Sequence, residues 1–185
     1  MEVVGTLHTR RLVGERLRPS DLGDLRGLHR DPGVMATLSA DGEVAPEGHT
    51  REHLRGGLEH WERHGYGTWM FRDRARGGFV GYCGLWNTRV EGKEEVELAY
   101  AVASGRWGEG FGTEMAREVA ALGLGRLGLA GLVARTLPTN RASRRVMEKA
   151  GFGYERDTVH AGLAHVLYRL PAPCREGPRE RGEAV

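Results

Sequence analysis

The chain has 185 residues, of which 39% are hydrophobic and 28% charged, with a net charge of +2 at pH 7. That length suits one domain able to bury a core without metals or disulfides, and the charge is too small to argue for nucleic acid. The two cysteines, Cys83 in an apolar run and Cys174 in a polar tail, do not suggest a disulfide framework. Nothing near Met1 resembles a signal peptide, and no apolar run approaches the ~18 residues of a membrane span, so a cytoplasmic protein is expected.

Leu12 to Leu17 reads as a first strand, bounded by Pro19. Ser20 or Asp21 can cap a helix carrying Leu22, Leu25 and Leu28, which stops at Asp31-Pro32. Val34 to Leu38 is a helical turn and Ala40 to Gly48 a loop. Thr50 can cap a second helix, with Leu54, Leu58 and Trp61 on one face and an end near Gly65. Thr68–Arg72 and Phe79–Trp86 read as strands joined by Arg76-Gly77-Gly78, and Val96–Ala103 follows as the third strand of a meander. A Gly-rich turn then leads into a helix to about Leu127. Leu132–Leu137 is the next strand. After Pro138 to Asn140 comes a helix to about Ala150, then strands near Phe152–Asp157 and His165–Leu170. The fold class is α+β with a mixed, mostly antiparallel sheet. The domain is expected to span 8–170, with a disordered tail over 171–185.

The segment Trp107-Gly108-Glu109-Gly110-Phe111-Gly112-Thr113 joins a strand to an amphipathic helix. The first amides of a helix have no internal acceptor, its dipole favours negative charge, and glycines let a phosphate approach the backbone. The pattern predicts a pyrophosphate site. A Walker loop would need Gly-Lys-Ser/Thr, and the only lysines are Lys93 and Lys149. A dinucleotide fingerprint would need a third glycine where Thr113 stands. A Gly-rich loop without a ligand also stays open in a chain with 29 glycines.

Several pieces together resemble the GNAT superfamily of N-acetyltransferases, in the branch similar to RimJ/RimL ribosomal-protein N-acetyltransferases. They are Thr9-Arg10-Arg11-Leu12 with Arg18-Pro19 and Asp21, Asp31-Pro32 with Met35, Gly81 to Leu85, and Glu97 to Tyr100. Trp107 to Glu114 follows, then Asn140 with Ser143, and Glu148-Lys149 with Gly151-Phe152. The resemblance implies that acetyl-CoA lies between two splayed parallel strands, Val96–Ala103 and Leu132–Leu137. Its pantetheine would pair with Tyr100, Ala101 and Val102. The amides of Trp107, Gly108, Glu109, Gly110, Phe111, Gly112 and Thr113 would cradle the pyrophosphate. Asn140 would bond the pantetheine arm, and Arg141, Arg144 and Arg145 would stand near the nucleotide end, or simply form a solvated helix face. Met147 occupies the position where many members carry a tyrosine, so Ser143 would hydrogen-bond the leaving thiolate. Glu97 is the first candidate for the base that takes the amine proton, with a solvent-facing or salt-bridged Glu as the alternative. The partner implied is a small-molecule or peptide amine acceptor, with a homodimer allowed and neither nucleic acid nor membrane expected.

The eight histidines do not make a metal site by pattern. His49/His53 and His60/His64 share helix faces, but no HExxH and no Cys or Asp cluster completes a ligand set. Cys83 should be buried rather than nucleophilic. Trp69, Tyr82 and Trp86 are candidates for an acceptor pocket or for the core. Three functions remain: an amine acetyltransferase, a catalytically silent acyl-CoA-binding regulatory module, and a nucleotide-binding domain using the same glycines.

Overall fold

Period-two alternation and tight turns build most of the molecule. In the computed structural model, which describes residues 4–38 and 43–173, the strands are β1 (Thr6–His8), β2 (Leu12–Arg16), β3 (Thr68–Asp73), β4 (Phe79–Val90), β5 (Lys93–Val102), β6 (Gly131–Thr136), β7 (Gly153–His160) and β8 (Leu163–Pro171). The helices are α1 (Leu22–His29), α2 (Pro32–Leu38), α3 (Glu47–His64), α4 (Phe111–Leu124) and α5 (Arg141–Lys149). One eight-stranded sheet runs in the order β1-β2-β3-β4-β5-β6-β8-β7. Every neighbouring pair is antiparallel except β5 and β6.

The long β4–β5 hairpin turns at Glu91 and Gly92, and the β7–β8 hairpin at Ala161 and Gly162, all four with positive φ. Two consecutive left-handed residues match the twist of paired strands, which is why these turns are so short. The first turn extends β5 back to Lys93, three residues before the expected start at Val96. β1 was not anticipated. Three residues are too few for a periodicity signal, yet Val4 and Leu7 are buried and Thr6–His8 pairs with Val13–Glu15.

Neighbouring residues of β4 show how the helices are layered. Leu85 packs toward Gly123 of α4, together with Leu132 of β6. Trp86 points the other way, against Gly57 of α3. α4 buries Met115, Ala116, Val119 and Ala120 on its face of the sheet, while α3 and α1 cover the opposite face of the β2–β4 half. Thr50 does not cap α3 as expected. The helix starts a turn earlier, after Pro46, and Thr50 lies inside it, 3% exposed, with its Oγ1 2.9 Å from His29 Nδ1. α3 ends at Gly65 in the left-handed conformation. Residues 174–185, most of the tail expected to be disordered, lie outside the described residues, as do 39–42 of the expected loop.

Candidate active site

β5 and β6 are parallel but touch at a single register pair, Glu97 with Val133. No register pair follows it toward the C-terminal ends of the strands, and this unpaired stretch in the middle of the sheet is the V that the resemblance implies. Parallel strands that stop pairing leave backbone N–H and C=O groups facing the gap, and these need a partner.

α4 begins at the open end of the V. Its first residue follows Gly110, whose φ of +81° and ψ of 7° are left-handed. A Cβ at Gly110 would meet only Arg11 Nη2, at 3.7 Å, so backbone conformation rather than space calls for glycine here. No side chain caps the helix. The amides of Phe111, Gly112 and Thr113 therefore point out of the helix without internal acceptors. A Cβ at Gly112 would meet Val146 Cγ2 at 3.4 Å and Val102 Cγ2 at 3.5 Å, so this residue lies between the walls of the cleft.

The loop before α4 is tied down from both sides. Arg106 donates to the Glu109 carboxylate (2.8 Å) and to Asp73 Oδ2 (2.8 Å), while Arg11 Nη1 donates to the carbonyl of Glu109 (2.9 Å). The guanidinium carbons of Arg11 and Arg106 lie 4.3 and 4.7 Å from the centre of the Phe111 ring, which is itself buried. The side chains of Glu109 and Phe111 thus hold the loop, and only their backbone can face a ligand. Glu114 in the first turn of α4 accepts from Thr9 Oγ1, the Arg11 amide and Arg11 Nε, which fixes the helix to the β1–β2 turn. Trp107 is 49% exposed, and its Nε1 donates to the carbonyl of Val102 at 2.8 Å.

Across the V, Asn140 caps α5 by accepting from the Ser143 amide at 3.0 Å, which leaves its Nδ2 to donate elsewhere. Ser143 does not stand alone. The Tyr100 hydroxyl donates to the Ser143 carbonyl (3.0 Å) and lies 2.8 Å from Ser143 Oγ. Burial raises the Tyr100 pKa, and the Ser143 bond pulls only partly the other way, so the phenol keeps its proton. Tyr100 therefore supplies a tyrosine hydroxyl at this spot although Met147 is in the core, 2% exposed. Forty-three residues separate the pair, and only the fold joins them. Ala101 is buried and pairs with Tyr82. Arg144 turns away to donate to Tyr168 Oη at 3.1 Å, whereas Arg141 and Arg145 are exposed.

Glu97 sits at the closed end of the V. Arg135 Nε and Nη2 hold its two oxygens at 3.0 and 2.5 Å, and the same guanidinium reaches Thr88 Oγ1 (3.3 Å) and His160 Nδ1 (2.8 Å). Both carboxylate oxygens are committed, so accepting a proton would break the fork. This favours the salt-bridged alternative over the expected base.

On the α3 face, His60 is held between the Tyr66 carbonyl at Nδ1 (2.9 Å) and the Asn87 amide at Nε2 (3.0 Å), a core histidine with both nitrogens used. His29 and His53 form a second pair, 3.2 Å apart at Nε2 and Nδ1. The i,i+4 pattern hid it, because His29 comes from α1. Among the described residues no group of three or more His, Cys, Asp or Glu is arranged to hold a metal ion. Cys83 is fully buried, and burial raises its thiol pKa.

The family described as acetyltransferase (GNAT) domain matches residues 11–153. The uncharacterized protein YkkB of Bacillus subtilis is 30% identical over 152 residues, 79% of this chain and 87% of that protein. An acetyltransferase of Agrobacterium tumefaciens shares the fold with a TM-score of 0.79 at 23% identity, over 92% of this chain and 96% of its own. RimL, a ribosomal L7/L12 alpha-N-protein acetyltransferase solved in complex with coenzyme A, does so with a TM-score of 0.74 at 16% identity, over 90% and 97%. The splayed strands and the uncapped helix start fit acetyl-CoA, the cosubstrate of such enzymes. With the match running over most of its length, the chain belongs to the GNAT acetyltransferase family and is an acetyl-CoA-dependent acetyltransferase.

Proposed function

We propose that this enzyme transfers the acetyl group of acetyl-CoA to a primary amine by direct attack in a ternary complex, as a member of the RimJ/RimL-like branch. The observation that carries the reading is the single-register pairing of β5 and β6, which opens the sheet from both faces. The α4 face would hold acetyl-CoA, with the amides of Phe111, Gly112 and Thr113 on the pyrophosphate and Asn140 Nδ2 and the Tyr100–Val102 backbone on the pantetheine. The amine would approach from the α3 face, near Tyr82 and Trp86. Acetyl-CoA supplies an activated thioester. The chain orients it, and Ser143 offers its hydroxyl to the sulfur side, with Tyr100, which donates to the Ser143 carbonyl, able to re-aim its proton when that hydroxyl is absent. Direct attack is favoured over an acyl-enzyme, since Cys83 is inside the core and its thiol holds its proton.

The test is coenzyme A release from acetyl-CoA with a panel of amines: peptides beginning with alanine and serine, lysine, spermidine and kanamycin. Acetylation of at least one panel member, identified by product mass, supports the reading. Tight acetyl-CoA binding with no turnover on any member would favour the silent regulatory module.

A further inference from the structure

His29 is 2% exposed, and it sits between two partners. Its Nδ1 lies 2.9 Å from Thr50 Oγ1 and its Nε2 lies 3.2 Å from His53 Nδ1. Each contact holds one hydrogen, so with both rings neutral the hydrogens run the same way along the chain. When His29 donates to Thr50, His53 donates to His29, and the His53 Nε2 lone pair is left open. Among the described residues that nitrogen meets no hydrogen-bond partner.

The position of His53 is set by β4. Its ring lies 5.5 Å from that of Tyr82, edge to face, and 6.0 Å from that of Trp86. Tyr82 pairs with Ala101 of β5 and Trp86 with Glu97, while Gly84 pairs with Ala99 between them. His53 therefore stands over β4, the strand next to β5, on the face that Ala99 and Ala101 of β5 share with Tyr82 and Trp86. Ala99 and Ala101 keep the β5 side of this face low, whereas Gly84 is crowded by the Gly67 carbonyl and Thr68. The titratable groups facing His53 are His29 from α1, His49 from α3 itself and Tyr82 from β4, with no carboxylate among them. Burial first, then the charges of His29 and His49, hold the His53 pKa down to about 4, and burial raises the Tyr82 pKa to about 12. His53 is thus a neutral imidazole at physiological pH.

We propose that His53, aimed by His29 and Thr50, accepts the proton that the acceptor amine sheds as its nitrogen attacks the thioester carbonyl. The assignment rests on the acetyl-transfer reading above. The nitrogen lone pair forms the C–N bond, and the C–S bond breaks with its electrons on sulfur. The amine hydrogen moves to His53 Nε2. Low basicity makes the imidazolium return that proton promptly to water, and the thiolate takes one up, so the enzyme ends unchanged. His29 is a positioning residue: by accepting the His53 Nδ1–H it fixes the tautomer that leaves the Nε2 lone pair open.

The experiment uses the full chain, acetyl-CoA and the fastest amine of the panel. His53→Gln should lower kcat by about 10²-fold or more near neutral pH and recover toward high pH, with the acetyl-CoA Kd unchanged. His29→Gln should cause a smaller fall of the same pH form. In the wild type, imidazole 15N spectra should give His53 as the Nδ1–H tautomer at neutral pH, and this reading needs no variant to fold. An Nε2–H tautomer, or His53→Gln within about two-fold of wild-type kcat, overturns the assignment while leaving acetyl transfer intact. A wild type that acetylates no panel amine overturns the activity itself, and the His53 role with it.

Discussion

Glu97→Gln separates a fastening carboxylate from a catalytic one. The Glu97 and Arg135 side chains are 17% and 7% exposed, so the pair lies largely out of water. Removing one partner of such a pair leaves the other charge uncompensated, which costs about 3–5 kcal/mol. Glutamine keeps one acceptor oxygen, and Thr88 and His160 keep two of the guanidinium donors occupied, so the low end, about 3 kcal/mol, is expected. In a domain of this size each kcal/mol moves Tm by about 2–4 °C, giving a fall of roughly 6–12 °C. Pairing the change with Arg135→Met removes both charges and should restore most of the loss. Thermal melting by circular dichroism gives the first readout, and the pH profile of kcat/KM gives the second. The acid limb of that profile should stay in place. A Glu97→Gln variant that melts within about 2 °C of wild type and moves the acid limb toward the pKa of the acceptor would refute this account. It would return the base to Glu97 and remove it from His53.

Gly110→Val should weaken acetyl-CoA binding strongly by calorimetry while costing only about 1–2 kcal/mol of stability, because the left-handed backbone is strained but no protein atom blocks the side chain; unchanged affinity would misplace the pyrophosphate. Ser143→Ala should lower kcat more than it weakens acetyl-CoA binding, by roughly ten-fold where Tyr100 can stand in and by 10²-fold or more in the Tyr100→Phe double variant; full activity in the double variant would remove both hydroxyls from the reaction. Stability should also fall on acidification from about the ordinary histidine value of 6.5, because the unfolded chain takes up protons that the folded His53, at about 4, refuses. That single group contributes on the order of 3 kcal/mol, present above 6.5 and lost by about 4, and denaturant melts of His53→Gln across this window should show a flatter slope. A second decline should begin as pH falls through the ordinary carboxylate range, because the unfolded chain then takes up protons that Asp73 and Glu95, held low by Arg106 and Arg169, still refuse.

What could be read from the sequence was carried by local rules. The β3–β4 hairpin announced itself through Arg76-Gly77-Gly78 between two apolar runs, whereas the cap that Asn140 puts on α5 was not read from the sequence. The start of α4 followed from glycines meeting an amphipathic run. What could not be read depends on contacts between distant segments. Nothing near Tyr100 in the chain indicates that its hydroxyl meets Ser143, and nothing near Glu97 indicates Arg135. Thr50 looked like a cap because threonine before an apolar helical pattern often is one, yet burial against His29 outweighed that local preference. The histidines suffered most. Spacing within α3 grouped His49 with His53, whereas the hydrogen bond that matters comes from α1.

The lone Glu97–Val133 pair divides the sheet into five strands and three, joined across β5 and β6 at one register pair. A pantetheine lying along β5 would act as the absent neighbour, taking up backbone groups that no strand meets there. The cosubstrate would then be a structural part of the folded chain as well as a reagent. At a hundred times its Kd it would add about 2.7 kcal/mol to folding. The melting temperature of the enzyme would thereby climb with the concentration of acetyl-CoA, so that the same molecule feeds the reaction and closes the gap in the sheet.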